Sequence, residues 1–215
     1  MAEKTVKMSP NAASSRDRFS VILASASPRR QQMLAELGIP FDVFVPSFPE
    51  TWTASADPAK VAKDLAEQKV RECPRKEALV IGMDTIVVIG KSKLAKPGDA
   101  TEAAEMLRKL SGRAHRVISG AAVSYRQRIY SDFEETKVYF RRLTQEEISW
   151  YIATKEPFDK AGGYAIQGFG RIFIKRIDGC YYNVVGFPLS CFQRLLRRFG
   201  LTILDLQKAK RELLR

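Results

Sequence analysis

Two serines and two arginines fall between positions 25 and 30, in the stretch "ASASPRR". The hydroxyls of Ser25 and Ser27 can donate to anionic oxygens. The planar guanidinium groups of Arg29 and Arg30 can grip phosphate oxygens in pairs. This is not a Walker loop, because GxxxxGK[ST] is absent, and no GxGxxG opens a helix. Asp84 interrupts the apolar run "IGMDTIVV", where a carboxylate is costly to bury alone. It is either paired structurally or exposed at a strand end for chemistry, and the second reading is favoured. Lys96, in "LAKPGD", adds a cation on a turn, and Glu50 adds a carboxylate in the loop after "PSFP"; neither says much alone. The glycine-rich "DKAGGYAIQGFG", residues 159–170, is either a loop that closes on a planar ligand or a tight turn.

These groups need elements to hold them. Ser20 to Ala24 reads as a short buried strand. Ser27 then has the right type for a helix N-cap, with Pro28 at the first helical position, where a missing N–H costs nothing. A strand, a polar turn and a helix N-terminus make an anion site, since the first N–H groups point outward and the helix dipole adds positive potential. Phosphate binding is therefore favoured over a capped helix with two exposed arginines. Met33, Leu34 and Leu37 give that helix an apolar stripe, and Gly38 ends it. "FDVFVPSF" is extended, and residues 58–72 read as a helix. Leu79 to Ile81 and Ile86 to Ile89 are strand-like and flank "GMDT". A helix follows from about Ala100 to Leu110, then a hairpin from "HRVISGAAVSY" and "IYSDFEETKVYF". Thr144 and Glu147 form a capping box, "GRIFIKRIDG" reads as a strand, and Pro188 opens another helix. Strands alternate with helices, so the fold class is α/β; the hairpins make the sheet mixed.

Composition narrows the field. The chain has 215 residues, which suits one domain, or one domain with two lobes. Hydrophobic residues make up 45%, enough for a sizeable core, and no apolar stretch approaches the roughly 20 residues of a membrane span. The net charge of +12 attracts polyanions, whether nucleotides, nucleic acid or an anionic membrane. A basic nucleic-acid-binding or regulatory protein is the rival class, but the aromatics are not interleaved with basic residues as a stacking platform. Seven basic residues among the last 22 ride on a helical leucine pattern and predict an amphipathic end helix. Cys73, Cys180 and Cys191 form no CxxC, and with a single histidine a zinc site is excluded. A reducing compartment, the cytoplasm, fits best. A Ser-His or Cys-His pair would have to use His115, which reads better as a strand-edge structural residue. Residues 1–18 are polar without periodicity and read as a flexible tail, residues 19–207 as the domain, and 208–215 as a basic helix end.

The order of several motifs adds to this. "LASASPRR" at 23–30, "GMDTIVV" at 82–88, "KPGD" at 96–99, "LSGRAHRVISG" at 110–120, "EPFDKAGGYAIQGFG" at 156–170 and "NVVGFPL" at 183–189 together resemble the Maf family of nucleotide pyrophosphatases, over about residues 20–200. The resemblance implies two lobes around a cleft and hydrolysis of nucleoside triphosphates at the α–β bond. It implies phosphate binding by Ser25, Ser27, Arg29 and Arg30, with Asp84 as general base. It adds Glu50, Lys69 and Lys96 as catalytic groups, Lys69 by resemblance only. It implies a divalent metal, Mg²⁺ with Mn²⁺ or Co²⁺ as alternatives, held by Glu50 and Asp84, and a homodimer. Arg29, Thr85 and Gln167 match the branch acting on dTTP and UTP. The branch acting on 7-methyl-GTP carries tryptophan, glutamine and glutamate in those slots, which suit a methylated cationic purine. Modified pyrimidine triphosphates are further candidate substrates.

Overall fold

A computed structural model describes residues 19–48, 56–75 and 77–209. The tail 1–18, Glu50 and residues 210–215 lie outside the described residues. A seven-stranded mixed sheet forms the middle of the molecule. It contains β1 (Val21–Ala24), β2 (Asp42–Phe44), β3 (Leu79–Ile89), β4 (Ser92–Leu94), β5 (Ala114–Tyr125), β6 (Arg128–Phe140) and β7 (Ile174–Asp178). The spatial order is β2-β1-β3-β5-β6-β7, with β4 paired to β3. β1 runs parallel to β2 and β3, and the remaining pairs are antiparallel. Arg126 and Gln127 close the β5–β6 hairpin with φ of 48° and 63°, the left-handed pair that a two-residue turn needs.

The period-2 alternation of the strands sorts the helices onto two faces. Ile22 and Ala24 of β1 and Val80 of β3 pack against α2 (Pro58–Glu72). Val21, Leu23, Leu79, Ile81 and Met83 point the other way, into a core shared with α1 (Pro28–Glu36), α5 (Tyr181–Val185) and α6 (Leu189–Arg198). Farther along that second face, Val87, Val117, Val138 and Phe140 form a separate core with α3 (Ala100–Leu110) and α4 (Gln145–Ala153). The long strands β3 and β5 thus pass through both cores and join two lobes. Helix α2 lies directly on their backbone. A Cβ at Gly120 would collide with the Ala62 carbonyl, and one at Gly82 with that of Ala66. Glycine is needed at both positions for this close approach.

Four expectations are corrected. "LVIGMDTIVVI" is one strand, not two flanking a break, because β5 pairs with it from Val80 through Val88. "GRIFIKRIDG" is a strand only from Ile174; Phe169–Phe173 is a 3₁₀ turn, whose Phe169 and Gly170 N–H groups donate to the Glu156 carboxylate. The end helix is broken: α6 stops at Arg198, Gly200 sits at φ +70°, and α7 is short (Ile203–Leu206). Lys208 therefore lies past the last described helix. His115 is no strand-edge residue; it is buried in β5, an interior strand, at 2% exposure. No helix among the described residues is long and apolar enough to cross a membrane.

Candidate active site

β1 ends early. It pairs with β3 only as far as Ala24 opposite Gly82, and β4 takes up the same edge of β3 only from Val87. On that edge Met83 to Ile86 therefore have no strand beside them, while β5 pairs with them on the other. The Met83 carbonyl, which a longer β1 would have bonded, accepts instead from Arg30 Nη1 at 2.8 Å and Lys69 Nζ at 3.3 Å. A cavity of about 630 Å³ opens at this gap, between the two lobes. Its walls include Ser25, Ser27, Arg29, Arg30, Lys69, Asp84, Thr85, Lys96 and Gln167. Every candidate residue named from the sequence that falls among the described residues lines this one space. Ligand clefts beyond the carboxyl end of a strand in an α/β sheet follow the same logic.

Asp84 and Thr85 are adjacent, so they point to opposite faces of β3. Asp84 faces α2, where Lys69 Nζ donates to its Oδ1 at 2.6 Å; both residues are 7% exposed. The expectation of an exposed carboxylate at a strand end is thus corrected. Asp84 is mid-strand, buried and paired, yet still at the cavity wall.

Thr85 faces α1. Arg30 is 9% exposed and its guanidinium is held on protein oxygens: Nε donates to Gly186 O at 2.9 Å, Nη1 to Met83 O and to Ser25 Oγ at 3.1 Å, and Nη2 to Thr85 Oγ1 at 3.1 Å. Ser25 Oγ also accepts from the Ser27 N–H at 3.2 Å. Two incoming hydrogen bonds leave the Ser25 hydroxyl proton to donate toward the cavity. Ser27 occupies the N-cap position but its side chain makes no cap hydrogen bond, and Pro28 opens α1 as expected.

The segment 159–170 forms the opposite wall. Arg29 Nη1 meets Asp159 Oδ2 at 3.3 Å and ties α1 to it. Burial opposes ionisation of Asp159, but hydrogen bonding and charge from Lys160, with Arg29 beyond, hold its carboxyl below the ordinary value. Lys96 is exposed at the rim. Sequence reasoning missed Glu156, which fixes this wall. Its Oε1 accepts from Tyr151 Oη at 2.8 Å and from the Gly170 N–H, and its Oε2 from the Phe169 N–H. A glutamate before a proline gives no local signal of such a clamp.

His115 backs the wall. Its Nε2 lies 2.7 Å from Tyr164 Oη, and the Tyr164 ring lines the cavity. Burial pushes the His115 pKa down to about 4. The unfolded chain, near 6.5, therefore binds a proton that the folded protein refuses, and stability falls as pH drops from about 6.5 towards 4. Urea melts at pH 7.5 and 4.5 should show wild type losing about 2.5 kcal/mol more than His115→Phe between those values, from 1.36 kcal/mol per pKa unit. Equal losses in the two proteins would remove His115 as the acid-sensitive group.

A family model described as "Maf-like protein" matches residues 20–199. A dTTP/UTP pyrophosphatase of Bacillus cytotoxicus is 47% identical over 180 residues, which cover 83% of this chain and 94% of the relative. Another protein of that name, from Bacillus cereus, is 43% identical over 185 residues, covering 85% and 97%.

Proposed function

The chain belongs to the Maf family, and from this membership and the cavity's chemistry we propose that it is a nucleoside triphosphate pyrophosphatase acting on dTTP and UTP. One observation carries the reading. Anion-binding groups from α1, α2 and the Lys96 turn share a single cavity with one buried carboxylate, Asp84, and with the neutral side chains of Thr85 and Gln167. The positive groups would bind the triphosphate, and the neutral ones suit the edge of a uracil or thymine ring.

Water attacks the α-phosphorus, and the α–β bridging oxygen leaves with pyrophosphate. Asp84 orients that water and accepts its proton. Lys69, already on Asp84, and Lys96 at the rim offset the charge that grows on the leaving group. Ser25 and the exposed side of Arg29 hold non-bridging oxygens. Arg30 acts from behind by fixing Ser25, Thr85 and the Met83 carbonyl. The net charge of +12 draws the polyanionic substrate in.

A divalent cation belongs to this reading. Among the described residues no group of three His, Cys, Asp or Glu side chains gathers, so Asp84 is the protein donor in hand, with Glu50 outside the described residues. That lean set fits Mg²⁺, which keeps several waters and is completed by substrate phosphates. When bound, the ion would add electrostatic stabilisation at the phosphoryl oxygens. None of Cys73, Cys180 and Cys191 is in a disulfide, which suits a cytoplasmic setting.

Product analysis tests the proposal. Incubation of UTP or dTTP with Mg²⁺ should give monophosphate and pyrophosphate in equal amounts by ³¹P NMR. Orthophosphate with diphosphate as the main products would reject the α–β assignment, and a strong preference for 7-methyl-GTP would reject the pyrimidine one.

A further inference from the structure

Behind Thr85 lies a buried polar chain that the mechanism above does not use. Thr85 Oγ1 is 2.9 Å from Ser119 Oγ, its cross-strand partner on β5, and Ser119 Oγ donates to the Asn183 carbonyl at 3.0 Å. Ser119 and Asn183 are both 0% exposed. Asn183 is fixed in turn: its Nδ2 donates to Val117 O at 3.0 Å and to Thr136 Oγ1 at 2.9 Å. Thr136 Oγ1 also accepts from the Cys180 N–H and donates to the Cys180 carbonyl, so its hydrogen-bonding capacity is filled.

The protons along this chain have one consistent arrangement. A hydroxyl has a single proton, and the Asn183 carbonyl is a stronger acceptor than another hydroxyl. Ser119 therefore donates to Asn183, and the Thr85 hydroxyl donates to Ser119. Thr85 Oγ1 already accepts from Arg30 Nη2. One lone pair is left for the cavity, and no proton.

We infer that Ser119 is a specificity-determining positioning residue: it locks the Thr85 hydroxyl as an acceptor only, so that Thr85 reads the imide N–H of uracil or thymine and rejects cytosine, whose ring nitrogen at the same place is itself an acceptor. The inference rests on the pyrimidine reading above and adds to it how the amino-bearing base, cytosine, is excluded. A site built to receive an N–H penalises a ligand that brings a lone pair there, because two acceptors are then left facing each other without a proton.

The test compares kcat/KM for UTP and CTP, read as pyrophosphate release, in wild type, Ser119→Ala and Thr85→Val. Ser119→Ala leaves the Asn183 carbonyl its second donor, the Gly186 N–H at 3.0 Å, so no buried carbonyl is orphaned. It frees the Thr85 proton to turn toward the cavity. The UTP/CTP ratio should fall about ten-fold, mainly through a gain with CTP, from the cost of a mismatched buried polar pair. Thr85→Val should also lower the ratio, but by a loss with UTP and without a gain in CTP. An unchanged ratio in folded Ser119→Ala overturns the inference. If Ser119→Ala does not fold, an unchanged ratio in Thr85→Val overturns it equally. Wild type that releases no pyrophosphate from either nucleotide refutes instead the pyrophosphatase reading on which it rests.

Discussion

Asp84→Asn should lower kcat by about 10²–10⁴-fold, the contribution typical of a positioned general base. The substitution is nearly isosteric and keeps an oxygen for Lys69, but it removes the proton acceptor. It also removes the negative charge 2.6 Å from the Lys69 ammonium, in a place where both residues are 7% exposed. Some loss of stability therefore accompanies the loss of turnover, since removing one partner of a buried pair is destabilising. The two effects are separable. In the double variant Asp84→Asn with Lys69→Met, both charges of the buried pair are gone and the melting temperature should recover. Turnover should not. A double variant that regains turnover would reduce Asp84 to a counter-ion for Lys69.

That pairing shows where the sequence was legible and where it stopped. Local signals placed α1, α3 and the Thr144 capping box well, because caps, prolines and apolar spacing are short-range. Together with the resemblance to the Maf family, which alone supplied Lys69, Thr85 and Gln167, they named residues that line the cavity. What they could not give was the reason Asp84 sits inside an unbroken strand. Its partner Lys69 lies fifteen residues back on a helix across the sheet, and two glycines, Gly82 and Gly120, let that helix come close. Helix contact through missing side chains has no periodic signature. The strand-like reading of "GRIFIKRIDG" failed for a related reason. Apolar alternation there was overridden by Glu156, whose carboxylate takes backbone N–H groups thirteen and fourteen residues away. The Ser119–Asn183 chain was equally silent, since buried hydroxyls look like any small strand residue.

Arg30 gives the second large effect, on stability as well as activity. From the sequence, Arg29 and Arg30 are equivalent phosphate ligands. In the structure they differ: Arg29 is part-exposed and reaches Asp159, whereas Arg30 is 9% exposed and binds Gly186 O, Met83 O, Ser25 Oγ and Thr85 Oγ1. Arg30→Ala removes four hydrogen bonds at the gap where β1 ends: Met83 O, Ser25 Oγ and Thr85 Oγ1 keep their bonds to Lys69, Ser27 and Ser119, while Gly186 O loses its guanidinium donor. At about 0.5–1.5 kcal/mol net per bond, a total loss of about 3 kcal/mol is expected. Turnover should fall with it, because Ser25 and Thr85 lose the group that orients them. Arg30→Lys should rescue neither, since an ammonium cannot reach several acceptors with the geometry of the guanidinium fork. Lys96→Ala provides the contrast: an exposed rim residue should cost activity and leave the melting temperature unchanged. Thermal melts and steady-state kinetics on the three variants decide the matter. An Arg30→Ala protein that melts like wild type and shows only a raised KM would mean that the guanidinium turns to the phosphates when substrate arrives, and that its bonds to the protein are a resting arrangement.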